Sequence, residues 1–154
     1  ISFYDEDIIK QIIKTMLNDP VMFCGMSVVD IRIDEEPNLS QRELFYSASP
    51  ILIKRRLEDG TIKQYDYNDS QANQFLKETL LSKMREARLE EDDSLEISFD
   101  TSFAKKKMKL VHYHGIGNKA NLCPVIIKGK TITKLFAWNV GLGNSTGIGF
   151  GAIY

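Results

Sequence analysis

Gly141-Leu-Gly-Asn-Ser-Thr-Gly-Ile-Gly-Phe-Gly-Ala-Ile-Tyr154 carries five of the ten glycines of this 154-residue sequence between Gly141 and Gly151. Glycine has no side chain to pack and is disfavoured in regular structure by roughly 0.5–1 kcal/mol against alanine. A run this dense therefore serves backbone shape. Consecutive N–H groups in such a loop form concavities that suit phosphate oxygens, so Gly141, Gly143, Gly147, Gly149 and Gly151 point to a polyanion as the ligand. Asn144, Ser145 and Thr146 between them add polar side chains to the same candidate site.

The charge distribution agrees. The formal net charge is -1, but it is uneven: residues 1–100 hold 12 Lys and Arg with all 21 Asp and Glu, a balance of -9. Residues 101–154 hold eight lysines and no acid, a balance of +8. Local basic surface governs nucleic-acid affinity, because each neutralised phosphate releases counterions. Lys105, Lys106 and Lys107 form one cluster, and Lys54, Arg55 and Arg56 a second. A solvated lysine-rich face is the plainer reading of either cluster alone.

The length suits one average domain or two very small ones, and 43% hydrophobic residues can build a core. Cys24 and Cys123 show no repeated spacing and read as buried apolar residues in a reducing compartment. No apolar run approaches the ~20 residues of a membrane span, and no secretory pattern opens the chain. A cytoplasmic protein without membrane partners is expected.

Residues 5–18 read as an amphipathic helix with Ile8, Ile9, Ile12, Ile13, Met16 and Leu17 on one stripe, capped by Ser2 or Asp5. A β-branched strand over residues 22–33 is expected to follow. One helix and one strand cannot close a core, so the chain reads as the later part of a longer one. From Ser49 the order is strand, helix, strand, strand, helix, strand. Residues 49–56 return through 62–67, a helix covers about 70–88, and strands fall on 94–100, 108–115 and 121–128. A helix over 131–140 and a strand over 147–154 complete the set. This βαββαβ order predicts an α+β, ferredoxin-like (RRM-like) domain, with a division into residues 1–48 and 49–154.

A dinucleotide fingerprint needs its glycines after a strand and before a helix; here a helix precedes them and a strand follows. No Gly-Lys-Ser/Thr follows either, which excludes a nucleotide P-loop. Gly141-Leu-Gly143, five residues, and Gly149-Phe-Gly151 resemble the glycine-hydrophobic-glycine motif of RAMP-superfamily proteins. Its place at the C-terminal end resembles the CRISPR-associated endoribonuclease of the Cas-six type, which cuts precursor CRISPR RNA within its repeats. Ser49-Pro-Ile-Leu-Ile-Lys54 looks like that family's strand opening the second ferredoxin-like domain.

The resemblance implies that residues 1–48 are the helix-strand remnant of a first ferredoxin-like domain, and that the main catalytic histidine lies upstream of Ile1. It implies a metal-independent RNA cleavage for antiviral defence, leaving 2′,3′-cyclic phosphate ends. The partners it implies are the precursor CRISPR RNA repeat, effector-complex subunits and a second copy as a homodimer; no cofactor is called for. Two histidines and no cysteine or carboxylate cluster give no metal-ligand set. His112 and His114 flank Tyr113, and a strand period of two puts both imidazoles on one face as an acid/base pair. His114, nearer the Gly115-Ile-Gly117 turn, is the preferred catalytic candidate. Two other readings stay open: a RAMP subunit that binds guide RNA without cutting it, and a ferredoxin-like protein-interaction or small-ligand domain.

Overall fold

The computed structural model describes residues 5–33 and 35–154. The chain separates into two compact units, Ile1–Pro37 and Asn38–Tyr154.

In the first unit, α1 (Glu6–Asn18) forms where the apolar stripe predicted it. The Asp5 carboxylate accepts hydrogen bonds from the N–H of Asp7 at 2.9 Å and of Ile8 at 3.3 Å, satisfying two donors that the first turn leaves without partners. The other expected cap, Ser2, lies outside the described residues. No α1 residue is buried. The strand expected over residues 22–33 does not form. Phe23–Gly25 is a 3-10 turn, with Cys24 at φ 57° and Gly25 at φ 74°, and it brings Val21 opposite Ser27. Val29 beyond it is 94% exposed; β-branched residues without a pairing strand or a buried face have nothing to hold them extended. Cys24 is exposed, against expectation, while Cys123 is buried.

The second unit confirms the ferredoxin-like class, with strands partly redistributed. β1 (Leu44–Phe45) pairs antiparallel with β7 (Val125–Lys128), and β7 pairs with β4 (Glu96–Phe99). On the other edge of β1, Tyr46 and Tyr154 exchange backbone hydrogen bonds at 2.9 and 3.0 Å, and the Ala48 N–H donates to Ala152 O at 2.8 Å. The spatial order is therefore residues 152–154, β1, β7, β4. With α2 (Ala72–Glu86) between β1 and β4 and α3 (Thr131–Val140) after β7, this is the interleaved double βαβ predicted from the order of elements.

The first strand of that sheet lies on residues 44–48, not 49–56. The more apolar run Ile51-Leu52-Ile53 is wholly buried because it is covered on both sides; Ile51 bridges Asn121 and Leu52 bridges Asn144. β2 (Lys54–Arg56) and β3 (Ile62–Gln64) form a separate hairpin, and β5 (Lys107–Tyr113) with β6 (Ile116–Leu122) forms a second ribbon between β4 and β7. The strand expected over 147–154 shortens to its last residues, because residues Thr146–Ile148 take a 3-10 turn.

The core lies between the sheet and its helices. Phe45, Val125 and Phe99 form one cross-strand row, Ile127 and Ile97 the next, all buried. α2 meets them with Leu76, Leu80 and Met84 at four-residue spacing, and α3 with Phe136 and Ala137. Asn121 is a buried spindle: its side-chain amide donates to Ile51 O and Tyr65 O and accepts from the Tyr67 N–H.

Both ends of α3 are tied down from a distance. At its start Lys130 offers no side-chain cap. Instead the buried Asp92 carboxylate accepts from the Lys130 N–H at 2.7 Å and the Thr133 hydroxyl at 2.8 Å, and also from Ser94. Burial pushes the Asp92 carboxyl up, but the hydrogen bonds from Ser94, Lys130 and Thr133 outweigh it and hold it below the ordinary value. Gly129, at φ 149°, makes room; a Cβ there would sit 2.6 Å from Asp92 Oδ2.

Candidate nucleic-acid interface

Three of the five glycines in the C-terminal segment serve the fold. Gly141 ends α3 at φ 75°, with its N–H on Ala137 O at 2.9 Å. A Cβ on Gly143 would overlap the carbonyl oxygen of Leu52, and one on Gly151 that of Leu142. All three residues are buried. Their absent side chains let the two arms of the segment run against each other and against the Ser-Pro stretch. The Leu142 N–H donates to Gly151 O, the Gly151 N–H to Pro50 O and the Asn144 N–H to Leu52 O, at 2.7–2.9 Å. Asn144 Oδ1 accepts from the Lys54 N–H at 2.8 Å, and Ser49 Oγ from the Ala152 N–H at 2.9 Å. Most of the backbone amides over residues 141–151 are thus engaged inside the protein.

What remains open is the turn at residues 145–149. Ser145 has φ 61°, Thr146–Ile148 is the 3-10 turn, and Gly149 has φ 96°. Gly147, Ile148 and Gly149 are exposed. The turn closes through Ile148 N–H to Ser145 O and Gly149 N–H to Thr146 O. The N–H groups of Ser145, Thr146 and Gly147 find no acceptor among the described residues. Successive amides of this kind suit an anion. Gly147 is the instructive position: its φ is not in the left-handed range and a Cβ there would meet nothing within 4 Å. Neither strain nor space requires glycine at this point.

One lysine side chain is held at this turn, while Lys54 meets Asn144, just before it, through its backbone N–H. Lys83, which sequence reasoning missed, reaches from α2 and donates to Gly141 O at 2.9 Å and Thr146 Oγ1 at 3.2 Å. Burial depresses its pKa to about 8, with Glu86 opposing. Its one local signal was a lysine beside the buried Leu80 and Met84 on an apolar helix face. Arg55, expected to face phosphates, is engaged elsewhere: it pairs with Glu78 at 3.1 Å, donates to Phe75 O and lies 4.8 Å over the Phe75 ring. Arg56 is exposed at the end of β2.

The lysine cluster 105–107 stands elsewhere. Lys105 lines a cavity of about 150 Å³ with Tyr46, Phe103, Cys123 and Tyr154. There Tyr46 packs edge-on to Phe103 and tilted to Tyr154, both at 5.9 Å. Lys106 is half-buried and Lys107 opens β5, exposed.

The two histidines occupy different backbone settings. Pairing of Tyr113 with Ile116 leaves His114 and Gly115 as a two-residue hairpin turn. Both have positive φ, 47° and 77°, as a type I′ turn demands. His114 therefore leaves the strand alternation and packs edge-on against Tyr113 at 4.4 Å. His112 stays on the strand beside Gly117, where a Cβ would lie 3.6 Å from its Nε2. No helix described here is long and apolar enough to cross a membrane.

A family model described as "CRISPR associated protein Cas6, C-terminal" matches residues 34–154. No curated protein matches the chain. Three solved structures share its fold: one reported as a Cas6-related gene product from Pyrococcus furiosus (22% identity, TM-score 0.76), a CRISPR associated protein Cas6 (21%, 0.80) and a RAMP protein binding different RNA substrates (21%, 0.75). Each alignment covers 99% of this chain and 65% of the other, so the chain spans less than two thirds of those proteins.

Proposed function

Because this chain belongs to the Cas6 family through its C-terminal domain, we propose that it holds precursor CRISPR RNA for a metal-independent cleavage within the repeat. In that reaction the ribose 2′-OH attacks the adjacent phosphorus and the 5′-oxygen leaves, giving a 2′,3′-cyclic phosphate and a 5′-OH. A base takes the 2′-proton, an acid protonates the leaving oxygen, and cations or amides steady the phosphorane. The observation that supports the binding half is the turn at 145–149. Its three unengaged amides and the Lys83 ammonium on Thr146 supply donors and positive charge suited to a phosphate.

The catalytic half rests on less. His112 lies on a strand and His114 in the following turn, which favours a second reading, that this portion binds RNA and the acid/base histidine comes from another part of the family's fold. In either reading the C-terminal domain acts with a first ferredoxin-like domain, to which residues of the first unit contribute, and effector subunits or a second copy are further partners.

Binding is tested by titrating labelled repeat RNA with the chain at several salt concentrations. A steep loss of affinity with salt is expected; no binding at low salt would end the proposal. Incubation in excess EDTA, with end-group analysis of the products, then separates cutting from holding. A discrete cut ending in a cyclic phosphate supports the enzyme, and intact RNA supports the binding subunit.

A further inference from the structure

Lys83 touches the glycine segment at two points that are distant along the loop. Gly141 O belongs to the residue that caps the C-terminal end of α3. Thr146 Oγ1 belongs to the exposed turn. A single ammonium thus ties the helix end to the turn, across the segment where Gly141 and Gly143 leave the backbone without side chains to stiffen it. With Thr146 Oγ1 accepting from Lys83, the hydroxyl proton of Thr146 is free to point outward beside the Gly147 N–H.

Resting on the RNA-binding reading above, we propose that Lys83 is the positioning residue of the phosphate site at residues 145–147. It holds Thr146 and the flanking amides in register and supplies a positive charge behind them. Lys83 does not touch the ligand; Thr146 and the amides do. Its neighbours fix what it can do. Gly141 and Thr146 carry no charge, and Glu86 on the same helix is the acid that favours its protonated form. Burial is the stronger influence and brings its titration to about 8, against about 10.4 for an unperturbed lysine. A neutral amine would keep the loop filled, with two N–H groups still able to reach Gly141 O and Thr146 Oγ1, but would lose the charge and weaken both bonds.

The test is RNA affinity between pH 7 and 9 at fixed salt, using the chain itself and a labelled repeat oligomer. Wild-type affinity is expected to fall with a midpoint near pH 8. Lys83→Arg, which stays charged, should show a flat profile across that range. Lys83→Met should bind about tenfold more weakly at pH 7, the scale of one charge-assisted hydrogen bond, and should also be flat. Thr146→Val should weaken binding, and the Lys83→Met/Thr146→Val double variant should lose less than the sum of the two single losses, since both act on one arrangement. If the wild type binds with no inflection near pH 8, or if Lys83→Met binds like the wild type, the positioning role is overturned while RNA binding stands. If the wild type binds no RNA at all, the broader reading fails instead. Should Lys83→Met not fold, the wild-type and Lys83→Arg profiles decide the matter between them.

Discussion

The two parts of the glycine segment use one residue type for different ends. In the arms, Gly141, Gly143 and Gly151 are glycine because a neighbouring carbonyl occupies the place of a Cβ. At the tip, Gly147 has open space around it and an ordinary φ. A run of glycines thus divides into positions that the fold requires and a position that it does not. Only the second kind carries evidence about a ligand, because the first would be glycine whatever the protein bound.

The largest effect that would break this division lies in the arms. Gly151→Ala sets a methyl against Leu142 O at φ 75°. The left-handed strain and the overlap together should cost about 3 kcal/mol or more, read as a fall in the urea midpoint. A stable Gly151→Ala protein would show that the arms are looser than their hydrogen bonds suggest.

Next in size is the other end of α3. Asp92→Ala removes the acceptor for Lys130, Thr133 and Ser94 and should cost about 2–3 kcal/mol. Because the Asp92 carboxyl titrates below its ordinary value when folded, its contribution is present above the unfolded pKa of about 3.9. It is lost as pH falls through the lower, folded value. The variant should therefore lose stability at neutral pH and show a shallower decline in acid. An unchanged acid limb would mean that other carboxylates dominate it.

How much of this was legible beforehand follows from the range of each interaction. Both helices of the second unit were readable because Leu76, Leu80 and Met84 repeat at helical spacing, and β4 because Leu95, Ile97 and Phe99 alternate. The first strand was misplaced for a physical reason. Apolar density marks burial on both sides, which Ile51, Leu52 and Ile53 have; a strand buried on one face only, such as Leu44-Phe45-Tyr46, is fainter. His114 and Gly115 could have been read as a two-residue turn, since a strand on each side of a glycine pair partner is the local signal for one. Lys83 could not: its partners lie 58 and 63 residues away, and no local pattern encodes that distance.

The lysine cluster offers a milder test of whether the tip acts alone. Lys105 lines the Tyr46–Tyr154 cavity, whereas Lys83 is held at the loop. If RNA also runs past that cavity, charge reversal at Lys105, Lys106 and Lys107 should lower the salt slope of binding by roughly one unit per lost phosphate contact. An unchanged slope confines the RNA to the turn and its lysine.

The smallest expected change in stability belongs to Gly147, and it is the sharpest comparison with Gly151. Gly147→Ala places a methyl in open space at an allowed φ, so folding stability should stay within about 0.5 kcal/mol or rise slightly, through lower entropy of the unfolded chain. That methyl would nonetheless stand beside the Thr146 and Gly147 amides, where an anion must approach closely. RNA affinity should fall several-fold while the urea midpoint holds. A protein in which both quantities are unchanged would leave Gly147 with no role in binding, and the amides at residues 145–147 would then be open to water for no ligand at all.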